Sequence, residues 1–294
     1  MPSRSADAGI VVGVDESESS TMAVRWAARE AVMRNLPLTV VHVSSPLAVC
    51  PPVPIPAGLH QRHEEDARKV LADAIQAAED SVRDGNRPEI DTQLLVAAPV
   101  PALIELSKEA HLMVVGCRGQ DAVQRALLGS VSTGLVHHAH CPVAVIHADD
   151  ALPPPPARAP VLVGIDISPA SDAAAAVAFD EASRRGVELI ALHAWSDEQL
   201  SKFPGFDWSA TATDEEELLA QRLAGWQERY PDVLVRRVVV CDDAAHQLHV
   251  GSKSAQLVVV GSHGRGGFPG MLIGSVARAV VQSARVPVIV VRKG

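Results

Sequence analysis

Aromatic residues are scarce in this chain: four Phe, four Trp and one Tyr make up 3% of 294 residues. A core without large rings has to be filled by Val, Leu, Ile and Ala. That composition suits a parallel sheet covered by helices, whose strands read as near-continuous apolar runs. Cysteine is also rare. Cys50, Cys117, Cys141 and Cys241 show no C-x-x-C spacing, which argues against a dithiol redox or metal motif and leaves small apolar residues. No apolar run approaches the ~18 residues that a bilayer span needs, and the opening MPSRSADAG has no apolar signal core. The expected location is therefore the cytoplasm, with no membrane partner. Positive charge is short too. The formal net charge is −9, made of −7 in residues 1–150 and −2 in residues 151–294. Without a basic stripe, nucleic acid is not the expected partner. Any bound phosphate has to be held mainly by backbone N–H groups.

What the chain has is repetition. IVVGVD (10–15) returns as VLVGID (161–166), and VVHV (40–43) as ALHA (191–194), both at an offset of 151. LMVVGCRG (112–119) returns as LVVVGSHG (257–264) and CPVAVI (141–146) as VPVIVV (286–291), both at an offset of 145. So long a period identifies a duplicated domain rather than a solenoid. Between the copies lies ALPPPPARAP (151–160), whose prolines favour a stiff extended spacer. The expected domains are 1–150 and 161–294, joined by a linker at 151–160.

Each copy alternates strand and helix. In the first, strand 10–15 leads to a helix that Ser17 or Ser19 caps, then strand 38–43, a proline-rich loop (45–58) and a helix over 64–85 with Gly85 as its C-cap. Strand 90–97, a short helix opening at Pro101, strand 112–116, a helix over 130–139 and strand 142–147 follow. Five strands among four helices predict a doubly wound, Rossmann-like α/β domain with a five-stranded parallel sheet, present twice. The second copy is less regular at 196–217, which reads as a loop carrying Phe203, Phe206 and Trp208; its acidic run Asp214–Glu217 reads as the first turn of a helix.

Each copy also carries one glycine loop. Gly116-Cys-Arg-Gly119 is followed after nine residues by Gly129-Ser130-Val131-Ser132, and Gly261-Ser-His-Gly264 after nine residues by Gly274-Ser275-Val276-Ala277. Both follow a buried strand and open a helix, the context that makes such a loop an anion site. The strand ends at the carboxyl edge of the sheet, where open α/β folds bind ligands. Glycines allow close backbone approach, and the helix start offers unpaired N–H groups and a favourable dipole. Arg118 and Arg265 lie within the loops. Neither loop is G-x-x-x-x-G-K-[ST], no lysine lies near either, and no base is aimed at a water. His42 and His193 sit late in a buried strand and read as core histidines. His137, His138 and His140 gather at a helix C-terminus, where the dipole favours them.

These features together resemble the universal stress protein family in its tandem two-domain, ATP-binding form. The resemblance covers essentially the whole chain and rests on Asp15 and Asp166, the strand-two histidines, both glycine loops and the CPV or VPV before the last strand. It implies an ATP site in each domain, with Asp15 and Asp166 near the adenosine or ribose and the backbone of Val43 and Ala194 against adenine. Around the phosphates and ribose it places Gly116, Gly119, Gly129, Ser130, Val131 and Ser132 in the first domain. The corresponding set in the second is Gly261, Gly264, Arg265, Gly274, Ser275 and Val276. Magnesium would ride with the phosphates. The two sites differ, since Ala277 stands where the first copy has Ser132.

The function implied is a nucleotide-dependent regulator of stress response or growth, a homodimer with a further, unknown protein partner. The alternative is a slow ATPase or nucleotidyl-transfer enzyme of the same superfamily. The absence of a lysine or base near the loops limits the chemistry to very slow hydrolysis at most.

Overall fold

The computed structural model describes residues 9–46, 58–82, 87–118, 128–147, 156, 158–166, 168–195, 208–264 and 273–292; the side chains of 60 and 208–211 are not described. The proline-rich stretch 47–57, Gly85, residues 151–155 and 157 of the linker, Phe203 and Phe206 therefore lie outside the described residues. The chain divides into two compact units, Met1–Ala148 and Asp149–Gly294.

The first unit runs β1 (Ile10–Val14), α1 (Glu18–Arg34), β2 (Leu38–Ser44), α2 (Leu59–Ser81) and β3 (Ile90–Val96). It continues with α3 (Pro99–Leu106), β4 (Leu112–Gly116), α4 (Ser130–His138) and β5 (Val143–Ile146). The strands are parallel in the order β3-β2-β1-β4-β5. Helices pair as α1 with α2 and α3 with α4, so β1 and β4 are covered by apolar side chains. Ile10, Val12, Met113 and Val114 are fully buried. This is the doubly wound α/β architecture that the apolar runs predict.

The second unit repeats it with β6 (Val161–Gly164), α5 (Pro169–Arg185), β7 (Leu189–Trp195), α6 (Trp208–Arg229) and β8 (Val235–Cys241). Then come α7 (Ala244–Ser252), β9 (Leu257–Gly261), α8 (Ser275–Ser283) and β10 (Val288–Val291). Its strand order is β8-β7-β6-β9-β10, again all parallel. Three of the chain's few aromatic side chains meet here: Phe179 of α5 stacks on Trp226 and Tyr230 of α6, at 6.2 and 5.8 Å between ring centres.

The structure corrects several expected boundaries. Helix α2 begins at Leu59, five residues before the expected start, and α3 begins at Pro99 rather than Pro101. The stretch 208–217, expected as loop, is the first part of α6. Ser and Thr interleave with Ala at its start and no apolar periodicity marks it in the sequence, although Ala210, Ala212 and the three glutamates favour a helix. The acidic run 214–217 is consequently not a first turn but lies well inside the helix. Cys117 and Cys141 are buried, whereas Cys241 is exposed at the end of the edge strand β8. Among the described residues no helix is long and apolar enough to cross a membrane.

In both units the first strand lies between the second and the fourth. The chain leaves β1 toward β2 and β3, then returns to its other side for β4 and β5. The crevice at the carboxyl ends of β1 and β4 is a topological switch point, and so is that of β6 and β9.

Candidate functional site

Asp15 follows β1 directly and is shaped by the turn into α1. Ser17 is the N-cap of that helix, accepting from the Ser20 N–H at 3.2 Å. Its own N–H and hydroxyl both donate to Asp15 Oδ1, at 2.9 and 2.5 Å, and the Asp15 N–H donates to Ser20 Oγ at 3.0 Å. The carboxylate is thus pinned by one oxygen. Among the described residues nothing engages Oδ2. Ser17 and Ser19 also donate to the carbonyl of Arg118, which tethers the start of the glycine loop to the start of α1.

The second unit repeats the clamp. Ser168 caps α5, its N–H donates to Asp166 Oδ1 at 2.8 Å, and its hydroxyl donates to the His263 carbonyl at 3.0 Å. The D-x-S spacing that builds this clamp stands in the sequence at the same 151-residue offset as the strands. It is the functional signal that reading from the glycine loops alone misses.

The loops close in the same way. Gly129 N–H donates to the Cys117 carbonyl at 2.8 Å, and Gly274 N–H to the Ser262 carbonyl at 2.7 Å. Gly129 and Gly274 are the N-caps of α4 and α8, and among the described residues no side chain caps either helix. Ser130 and Ser275, the first helical residues, are exposed, with Val131 and Val276 half-buried behind them. Each switch point therefore presents a helix start whose first amides have no side-chain acceptor among the described residues, beside a carboxylate held in place. Val43 and Ala194 occupy the same carboxyl edge one strand away, each following a histidine. The registers pair Val14 with His42 and Leu192 with Gly164.

Three expected roles shift. Gly116 and Gly261 sit in the strand rather than against the crevice. A Cβ on Gly116 would lie 2.8 Å from the Ser19 carbonyl carbon, and one on Gly261 2.8 Å from that of Ala170. Their lack of a side chain admits α1 and α5 to the sheet. Gly264 does face the site: a Cβ there would come within 2.6 Å of Asp166 Oδ2. Ser132 is in the first turn of α4 as expected, but its hydroxyl points inward. It is buried and donates to the carbonyls of Cys117 and Gly129, both at 3.0 Å. Gly119 and Arg265 lie outside the described residues.

Because both carbonyls keep a backbone N–H partner without Ser132, Ser132→Ala should lower the stability of the first domain by only about 1 kcal/mol. Nucleotide affinity should stay within roughly twofold, since no ligand contact is lost. Thermal denaturation and a binding titration of the variant check both; a large loss of affinity would return the hydroxyl to the ligand.

A groove of about 340 Å³ opens between α1 and α2 and is lined by Asp15, Ser20, Val24, Lys69 and Asp73 among others. It touches the clamp at Asp15 and Ser20. His137, His138 and His140 stay at the end of α4, and no group of three metal-ligating side chains occurs among the described residues.

The model of the universal stress protein family matches residues 9–147 and 158–292, one copy on each repeat. The chain belongs to the universal stress protein family. A universal stress protein of Mycobacterium tuberculosis is 56% identical over 286 residues, covering 97% of both chains. Among solved structures, a universal stress protein from Archaeoglobus fulgidus aligns over 97% of this chain and 96% of its own, with a TM-score of 0.71 and 22% identity. That likeness establishes the fold. A universal stress protein solved in complex with cAMP is 28% identical over 48% of this chain and 98% of its own, with a TM-score of 0.38.

Proposed function

We propose that each domain binds ATP at its switch point and that the protein is a nucleotide-dependent regulator rather than a catalyst with fast turnover. The observation that carries the reading is the twice-built pairing of a pinned first-strand Asp with an uncapped helix N-terminus. The two halves suit the two ends of one nucleotide. The carboxylates of Asp15 and Asp166, each held through Oδ1, would accept from ribose hydroxyls. Amides at a helix start, aided by the dipole, hold phosphates without cationic side chains. Ser130 and Ser275 would add a hydroxyl each, and the backbone at Val43 and Ala194 would meet the base. Gly119 and Arg265 join the site on the family resemblance alone. Magnesium would enter on the phosphates, since a protein cage of carboxylates is not needed for it. The regulatory reading follows from the groups at hand. Among the described residues these are serine hydroxyls, amides and a carboxylate held by Ser17 or Ser168, groups that bind and orient a nucleotide.

Mass spectrometry of the ligand released from gently purified protein tests this. The expected result is ATP at close to two per chain, still intact after hours at 25 °C. Protein free of nucleotide, and unable to take it up, would overturn the reading. Conversion of bound ATP within minutes would restore the enzymatic alternative. Assembly into a homodimer in the cytoplasm is part of the same proposal, and sedimentation of the full chain tests it.

A further inference from the structure

The strand-two histidines, which read as core residues, each bond to the end of the strand that delivers the site Asp and differ in what holds their far side. His193 is buried on β7. Its Nδ1 lies 2.7 Å from the Ile165 carbonyl, at the end of the strand that delivers Asp166, and its Nε2 lies 3.0 Å from Glu215 Oε2 on α6. A backbone carbonyl only accepts, so Nδ1 carries a hydrogen. A neutral imidazole then has a bare Nε2, which would face an ionised carboxylate lone pair to lone pair. Two contacts need two hydrogens, and a neutral His with an ionised Glu supplies one. The arrangement closes only with one more proton, bound on Nε2 or on the carboxyl.

We propose that His193 Nε2 carries this extra proton and donates it to Glu215, and that the contact keeps α6 docked beside Asp166 and Ala194, making both positioning residues of the second nucleotide site. The proposal rests on the ATP reading for its consequence, but not for the proton itself. The step is a simple protonation: Nε2 gains a proton from solvent, and the resulting N–H donates to Oε2. When it leaves, the contact breaks and α6 loses its hold on the end of β7. A charged ring so buried, at 4% side-chain exposure, is tolerable only with its counter-charge in contact.

Other titratable groups on the surrounding elements are Asp166 after β6, Asp172 (paired with Arg222 of α6), Asp180, Glu181, Arg184 and Arg185 on α5, Asp214, Glu216, Glu217, Glu228 and Arg229 on α6, Arg236, Arg237 and Cys241 on β8, and His246 and His249 on α7. Among the described residues only Ile165 and Glu215 bond to the His193 ring.

The first domain solves the same problem without an extra proton. His42 Nδ1 donates to the Val14 carbonyl at 2.9 Å. The tie to the second helix is instead His63 Nε2 with the Ser44 hydroxyl, at 2.5 Å. A hydroxyl donates to a bare imidazole nitrogen, so a neutral ring completes the contact. Proton dependence is therefore a property of the second site.

Nitrogen-15 NMR of the His193 ring in the full chain, with binding titrations from pH 6 to 9, tests this. In the wild type both ring nitrogens should carry hydrogen at pH 6. In Glu215→Gln the side-chain amide donates to Nε2, so that nitrogen should be bare while α6 stays docked. In a chain whose first site is disabled by Gly129→Asp, ATP affinity of the wild-type second site should fall about fivefold across that range, as for a typical coupling between linked sites. It should stay flat in Glu215→Gln and low throughout in Glu215→Ala; the titration of ATP itself is common to all three. A singly protonated His193 at pH 6 would overturn the proposal, and so would the same pH dependence in Glu215→Gln. A doubly protonated ring with no ATP bound at any pH would leave the extra proton standing and overturn the nucleotide reading.

Discussion

Replacing Gly274 by Asp is expected to remove nucleotide from the second domain while leaving that domain at least as stable. Gly274 is the N-cap of α8, with φ −69° and ψ 154°, a backbone conformation open to any residue. A Cβ there would make ordinary contacts, the nearest at 3.5 Å. An Asp at an N-cap accepts from the amides of the first turn, and this stabilises a helix by a few tenths of a kcal/mol over Gly. Those are the same amides that the proposed site offers to phosphate. The substitution both occupies them and sets a negative charge where the phosphates would lie, and like charges so close cost several kcal/mol. Affinity of the second site should therefore drop by about two to three orders of magnitude. Nucleotide released per chain should halve, and the melting temperature should hold or rise slightly. Retention of two nucleotides per chain would show that the ligand does not use the α8 terminus.

Much of this architecture is legible in the sequence because two physical signals coincide. Runs such as LMVVG and LVVVG are long enough to be buried strands, and their recurrence at a fixed offset removes the ambiguity of any single run. The glycine loops and Asp15 and Asp166 are legible for the same reason. What escapes reading is anything set by a partner distant in the chain. Gly116 and Gly119 look alike in sequence, yet the need for Gly116 comes from Ser19, about a hundred residues earlier. Ser132 resembles a ligand group until the fold turns its hydroxyl to Cys117. Glu215 is one of three glutamates in a row, and only the true start of α6 puts it opposite His193. The N-terminal part of that helix has good helix formers in Ala210, Ala212 and the glutamates but no apolar periodicity, and it is the periodic stripe that local reading relies on.

The helix-admitting role of the strand glycines leads to the other large effect, in the opposite direction from Gly274. Gly261→Ala should destabilise the second domain by about 2–3 kcal/mol, the upper part of the range for overpacking. The obstacle is the reason for the size. The new methyl would lie 2.8 Å from the Ala170 carbonyl carbon, 2.9 Å from its oxygen and 3.0 Å from the Ser171 N–H nitrogen. These are backbone atoms in the first turn of α5, so relief requires moving the helix rather than rotating a side chain. Ser171 Oγ accepts from the Asp166 N–H at 2.8 Å, so a displaced α5 also disturbs the clamp, and binding weakens as stability falls. The transition of the second domain should move down by roughly 5–10 °C. Gly225→Ala is the matched control. Gly225 is exposed inside α6 with nothing near its missing Cβ, so the same change should raise stability by up to ~1 kcal/mol through helix propensity. Calorimetry of both variants reads the two signs directly. If Gly261→Ala proved neutral, α5 would not be seated as closely on β9 as its contacts require.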